Sequence, residues 1–88
     1  MSAERLVSMA NQIARFFEGQ PGEDPAALTA NHLKSFWDPR MRAGLLRHLQ
    51  AGGEGLTPIA ASAAALLDRE KTLQAAGVLS VGRGDDIS

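Results

Sequence analysis

Three steps, in which a short side chain with a hydrogen-bond acceptor precedes proline, constrain the fold of this chain more than any other feature. They are Asp24-Pro25, Asp38-Pro39 and Thr57-Pro58. An Asp or Thr side chain can accept hydrogen bonds from the free amides of a first helical turn. Proline suits the first helical position because it has no amide to leave unpaired there. Each step therefore predicts the start of a helix, and Ser2 offers a similar cap near the N-terminus.

Apolar side chains recur every three or four residues after each start, as on one face of an amphipathic helix. Four helices are expected on this basis: about residues 3–17, from Pro25 to near Trp37, from Pro39 to the glycines at 52–55, and 59–76. No window shows the alternation of a strand bounded by hairpin turns. The sequence therefore predicts an all-α fold, a small bundle of about four helices in residues 1–77 with a mobile tail at 78–88.

Composition excludes several classes of function. The 88 residues contain no cysteine, which rules out disulfides and thiolate chemistry, and the formal net charge is −1, unlike that of a typical nucleic-acid binder. No stretch approaches the roughly 20 apolar residues of a membrane span. Glu4 and Arg5 stand where a signal peptide would need a basic start and an unbroken apolar run. We therefore expect a cytoplasmic protein with no nucleic-acid and no membrane partner.

Signatures of catalysis and metal binding are missing from the sequence. His32 and His48 are the only histidines, and they lack the four-residue spacing of a helical metal site. No serine is flanked by the glycines of a nucleophile elbow. The glycine-rich segment 52–55 follows a predicted helix and includes Glu54, which would repel phosphate, so we interpret it as a helix end. We expect no enzyme activity, no cofactor and no metal in this chain alone.

The corner between the second and third predicted helices is the best candidate for a binding site. It carries the only tryptophan, Trp37, followed by Arg40 and Arg42. Tryptophan and arginine are over-represented at interface hot spots. We predict that the indole and the guanidinium groups face outward and bind another protein; the alternative is that the arginines form an ordinary solvated face. Three other aromatic residues are expected in the core: Phe16, Phe17 and Phe36.

Several sequence strings together resemble the small delta subunit of soluble NAD-dependent formate dehydrogenase. The strings are Met9-Ala10-Asn11-Gln12-Ile13-Ala14, Phe16-Phe17, His32-Leu33, Phe36-Trp37-Asp38-Pro39-Arg40-Met41-Arg42, His48-Leu49 and Gly52-Gly53. The resemblance runs from about residue 6 to residue 67, and its longest string contains rare residue types. It implies an accessory role in an enzyme whose catalytic subunits carry a molybdenum or tungsten pterin, iron–sulfur clusters and flavin, and which passes electrons from formate to NAD.

The resemblance makes the catalytic subunits of formate dehydrogenase the expected partner. Trp37, Arg40 and Arg42 are the expected anchors, with Asn11 and Gln12 as polar contacts from the first helix. Two alternatives stay open: a transient factor for assembly or cofactor insertion in the same enzyme, and an independent helical regulator that binds DNA as a homodimer. We also expect that the isolated chain can self-associate, because a face meant for a partner can pair with itself.

Overall fold

The structure is a computed structural model that describes residues 2–70. Four helices follow one another along this part of the chain. They are α1 (Ala3–Glu18), α2 (Pro25–Phe36), α3 (Pro39–Gln50) and α4, which begins at residue 58 and runs to the end of the described chain at residue 70. No strand occurs in these residues. The all-α prediction is confirmed. The predicted end of α4, the domain boundary at residue 77 and the tail at 78–88 lie outside the described residues.

The helix starts have the predicted capping chemistry. In each case a side-chain oxygen accepts a hydrogen bond from an amide of the first turn. The pairs are Ser2 with Arg5 at 3.2 Å, Asp24 with Ala26 at 3.3 Å, Asp38 with Met41 at 2.8 Å, and Thr57 with Ala60 at 3.3 Å. The residues that begin α2, α3 and α4 are therefore set by contacts within three positions of the cap, which is why the sequence alone could place them.

Glycine residues end α3, also as predicted. Gly52 and Gly53 have φ of 123° and 66°, values that residues with a side chain rarely adopt. The Gly53 amide donates to the His48 carbonyl at 2.9 Å, which satisfies one of the carbonyls left unpaired at the helix end. The chain then turns within a few residues to Thr57 and α4.

The core of the described chain is built largely from small side chains. The α1 helix packs against both α2 and α3. More than half of the buried apolar residues are alanines, and Ala10, Ala60, Ala63 and Ala64 are fully buried. The larger members of the buried cluster are Leu6, Leu33, Trp37, Leu45, Leu46 and Leu67. Alanines let helices approach closely, which leaves little room between them for bulky rings.

Candidate partner-binding surfaces

Trp37 lies in the core, so the prediction that its indole faces outward is wrong. Only 6% of the residue is exposed, and it belongs to the main buried cluster. It caps α2 in an extended conformation, with its amide donating to the Leu33 carbonyl at 3.0 Å. Ala26, Ala30, Leu33 and Trp37 follow each other at intervals of three or four residues, and all four are buried. This spacing puts Trp37 on the inner face of α2, and it was visible in the sequence.

Phe16 and Phe36 lie outside the core, contrary to prediction. They are 61% and 75% exposed, and Phe17 is half-buried. The physical reason is that the helices pack closely through alanines. Within residues 2–70, the core therefore accommodates one large aromatic side chain, that of Trp37. The buried face of α1 is the series Leu6, Ala10 and Ala14, and Phe16 is about 200° around the helix from Ala14.

Four rings form a continuous cluster that joins the end of α1 to the second half of α2. The ring centroids of Phe16 and Phe17 are 5.1 Å apart with planes at 76°, and those of Phe17 and His32 are 5.9 Å apart at 62°. His32 and Phe36 continue the series at 4.7 Å. These separations are typical of favourable aromatic pairs. We call the four residues the aromatic surface, because two of its rings are largely exposed to solvent.

Gln12 lies at the edge of the aromatic surface. It is exposed on α1, four residues before Phe16, and residues four apart share a helix face. Gln12, which the sequence predicted as a polar contact, therefore lies beside the exposed ring of Phe16. No residue type in the sequence distinguishes Phe16 from a core phenylalanine; only its position relative to the inner face of α1 does.

Asn11 is engaged within the fold, which argues against its predicted role as a polar contact for a partner. Its Nδ2 donates to the Gly55 carbonyl at 2.9 Å, and its Oδ1 accepts from the Thr57 amide at 3.0 Å. His48 helps from the other side, because its Nε2 lies 2.7 Å from the Glu54 carbonyl. Asn11 thus connects α1 to the segment between α3 and α4, and His48 connects that segment to α3.

The two predicted arginines line different depressions of the surface. Arg40 is exposed and lines a groove with Arg47, and the lining also includes Leu6, Gly44 and the carboxylate residue Asp38. Arg40 and Arg47 therefore line one depression, whereas Arg42 lines another. The Asp38 carboxylate in this groove accepts from the Met41 amide, and the two guanidinium groups can receive a carboxylate from another molecule, because guanidinium and carboxylate pair through two hydrogen bonds.

Arg42 is half-buried beside Pro39 and Leu46. Its Nε is buried and has no hydrogen-bond partner among the described residues. Buried polar atoms are normally satisfied, so this Nε is an exception among the described residues, and because it is buried it is not itself open to a docking partner.

Residues 2–70 contain neither a cluster of metal-ligating side chains nor a membrane-spanning helix. Within residues 2–70, no group of three His, Asp or Glu side chains could hold a metal ion. None of the helices in this range is both long enough and apolar enough to cross a bilayer.

Comparison with known protein families connects these surfaces to an enzyme. The family model for the NADH-dependent formate dehydrogenase delta subunit FdsD matches residues 5–64. The chain belongs to this family. No curated protein and no solved structure matches it. The resemblance seen in the sequence is thus confirmed over nearly the same residues.

The delta-subunit match includes every surface described above. The four rings of the aromatic surface, the Arg40 groove and the connection held by Asn11 all lie between residues 5 and 64. A delta subunit belongs to an enzyme with other subunits, so membership of this family implies association with them. The surfaces most exposed on the delta-subunit fold are therefore the first candidates for that association.

Proposed function

We propose that this chain is a non-catalytic accessory subunit that docks on the catalytic subunits of an NAD-dependent formate dehydrogenase and stabilises their assembly or activity. The family match over residues 5–64 carries the proposal. The sequence has no cysteine, so the chain supplies no thiolate ligands for an iron–sulfur cluster. Redox chemistry then belongs to the other subunits, and the chain works in the cytoplasm as their structural partner.

The arginines at the start of α3 are proposed contacts. Arg40 reaches a partner carboxylate from the groove it shares with Arg47, and half-buried Arg42 contributes the accessible part of its guanidinium group. Gln12 contributes a polar contact from α1. Trp37 acts indirectly: from the core it fixes the end of α2 and so positions the arginines that follow.

Co-purification tests the proposal. A tagged copy of the full chain is expressed with the catalytic subunits, and the recovered complex is analysed by native mass spectrometry. We expect the catalytic subunits to be recovered with the chain at one fixed stoichiometry in mature, cofactor-loaded enzyme. Recovery with cofactor-free enzyme alone would instead identify a transient assembly factor. Failure to recover the catalytic subunits in either state would refute the proposal.

A further inference from the structure

The aromatic surface is not explained by the fold of the chain. Phe16 and Phe36 are 61% and 75% exposed, and the ring contacts of Phe36 and Phe16 are with the neighbouring members of the cluster. Side chains so exposed contribute little to a hydrophobic core. Neighbouring exposed aromatic side chains of this kind suit the centre of an interface with another protein, where aromatic residues are enriched.

The chemistry around these rings favours an uncharged, apolar occupant. On the outer faces of the helices, Gln12 lies one turn before Phe16, and His32 lies one turn before Phe36. Gln12 is uncharged, and the ring of His32 contacts Phe17 and Phe36. The centres of protein interfaces are depleted of charged residues and enriched in aromatic ones, with polar residues at the rim. Phe16 and Phe36 fit the centre of such an interface, and Gln12 fits its rim.

The two exposed rings alone do not supply the area that a stable homodimer needs. Taking a phenylalanine as roughly 200 Å², the exposed parts of Phe16 and Phe36 together amount to roughly 270 Å². Two copies meeting through these rings would bury about 550 Å², whereas stable interfaces bury about 1,200–2,000 Å². A larger protein can surround the rings and add contacts beside them. The area therefore favours a larger partner.

We propose that the aromatic surface inserts into an apolar, uncharged cleft on the catalytic subunits of formate dehydrogenase, with Phe16 and Phe36 as the two anchors. This proposal rests on the proposed function and names the docking face for it. Phe17 and His32 support the anchors from behind through the ring contacts. The arginine groove of α3 then adds charged contacts that set the orientation of the chain.

The test replaces the two anchors in the full chain. Phe16→Gln/Phe36→Gln keeps residues with good helix propensity and removes the apolar rings. We expect its circular dichroism spectrum and thermal midpoint to match those of the wild type within a few degrees, because the lost rings are mostly exposed. We expect the amount of catalytic subunit recovered per tagged chain to fall at least tenfold, as for hot-spot residues.

Two further variants make the result specific. Ser62→Gln/Ala65→Gln places the same side chain at two exposed positions of α4 and should leave recovery unchanged. Phe16→Leu/Phe36→Leu keeps apolar anchors and should retain more binding than the glutamine pair. This order, with glutamine weakest and leucine intermediate, distinguishes lost apolar contact from a change in fold.

Three outcomes separate the two proposals. If the wild-type chain does not recover the catalytic subunits, the proposed function fails and this inference fails with it. If the wild type recovers them and Phe16→Gln/Phe36→Gln recovers them equally well, the docking face is elsewhere while the proposed function stands. If the glutamine pair instead abolishes a homodimer seen by analytical ultracentrifugation and leaves enzyme binding intact, the surface serves a second copy and the inference is wrong.

Discussion

Phe36 and Trp37 are neighbours in the chain, yet 75% of the first is exposed and 6% of the second. The difference comes from a single helical step. Trp37 falls four residues after Leu33, on the inner face of α2, whereas Phe36 falls four residues after His32, on the outer face. The two rings therefore have separate roles: Trp37 stabilises the fold, and Phe36 is available to a partner.

Replacing Trp37 should lower the stability of the fold, because the side chain lies in the core. Phe/Trp→Ala changes in cores cost about 3–5 kcal/mol, a large share of the roughly 5–15 kcal/mol that holds a domain together. We expect Trp37→Ala to lower the free energy of unfolding by that amount in urea titrations followed by circular dichroism. Trp37→Phe should cost less, and Phe36→Ala, its exposed neighbour, should cost under about 1 kcal/mol. Equal losses for Trp37→Ala and Phe36→Ala would contradict the assignment.

Asn11 and Gln12 form a second adjacent pair with different roles. Asn11→Ala removes the two hydrogen bonds that connect α1 to Gly55 and Thr57, so we expect a loss of about 1–2 kcal/mol in the free energy of unfolding. Gln12→Ala changes an exposed side chain and should stay within about 0.5 kcal/mol of the wild type. In co-purification, Gln12→Ala should reduce recovery of the catalytic subunits. An unstable Gln12→Ala together with a fully stable Asn11→Ala would reverse the assignment.

At the scale of helices, the distance between α1 and α3 depends on Gly44. A Cβ atom built at Gly44 would lie 2.7 Å from Leu6 Cδ1, and Leu6 is 3% exposed and cannot swing into solvent. The absence of a side chain at position 44 therefore lets the two helices meet closely. The same residue forms part of the floor beneath Arg40 and Arg47.

The close approach is tested by making Gly44→Ala in two backgrounds, the wild type and the Leu6→Val variant. Gly44→Ala should gain about 1 kcal/mol of helix propensity but lose about 1–3 kcal/mol to overpacking against Leu6, for a net loss. In Leu6→Val, which lacks the Cδ atoms, the same change should stabilise the protein. Thermal or urea unfolding of the four proteins measures both effects. An identical shift in the two backgrounds would show that Gly44 and Leu6 are not in contact.

The elements of the fold were predictable from sequence where their causes are local. Asp38 caps α3 through an amide three residues away, so the start of α3 could be read directly. The burial of Trp37 was also encoded, in its spacing from Leu33, and the prediction failed because it put Trp37 on the surface and Phe36 in the core, the reverse of the observed exposure. The contact between Asn11 and Gly55 spans 44 positions and has no local signal. The exposure of Phe16 likewise depends on how closely helices pack elsewhere in the chain.

At the scale of the whole molecule, the core is small and made mostly of alanine. A domain of this size buries only about 60–65% of the surface that its unfolded chain exposes, so its own stability is modest. Within residues 2–70, the large apolar side chains that are exposed, Phe16 and Phe36, belong to one ring cluster near the C-terminal ends of α1 and α2. Association with a larger protein would both cover those rings and add stability by mass action.

Hydroxyl-radical footprinting read by mass spectrometry tests the central claim most directly, since it reports on Phe16, Phe36 and Trp37 in one measurement. The full chain is labelled free, in complex with the catalytic subunits, and unfolded in urea. We predict that Phe16 and Phe36 are oxidised readily in the free chain and several-fold less in the complex. Trp37 should be oxidised slowly in both and readily only in urea. The account would be contradicted if Phe16 and Phe36 were oxidised equally with and without the catalytic subunits while Trp37 became protected on binding.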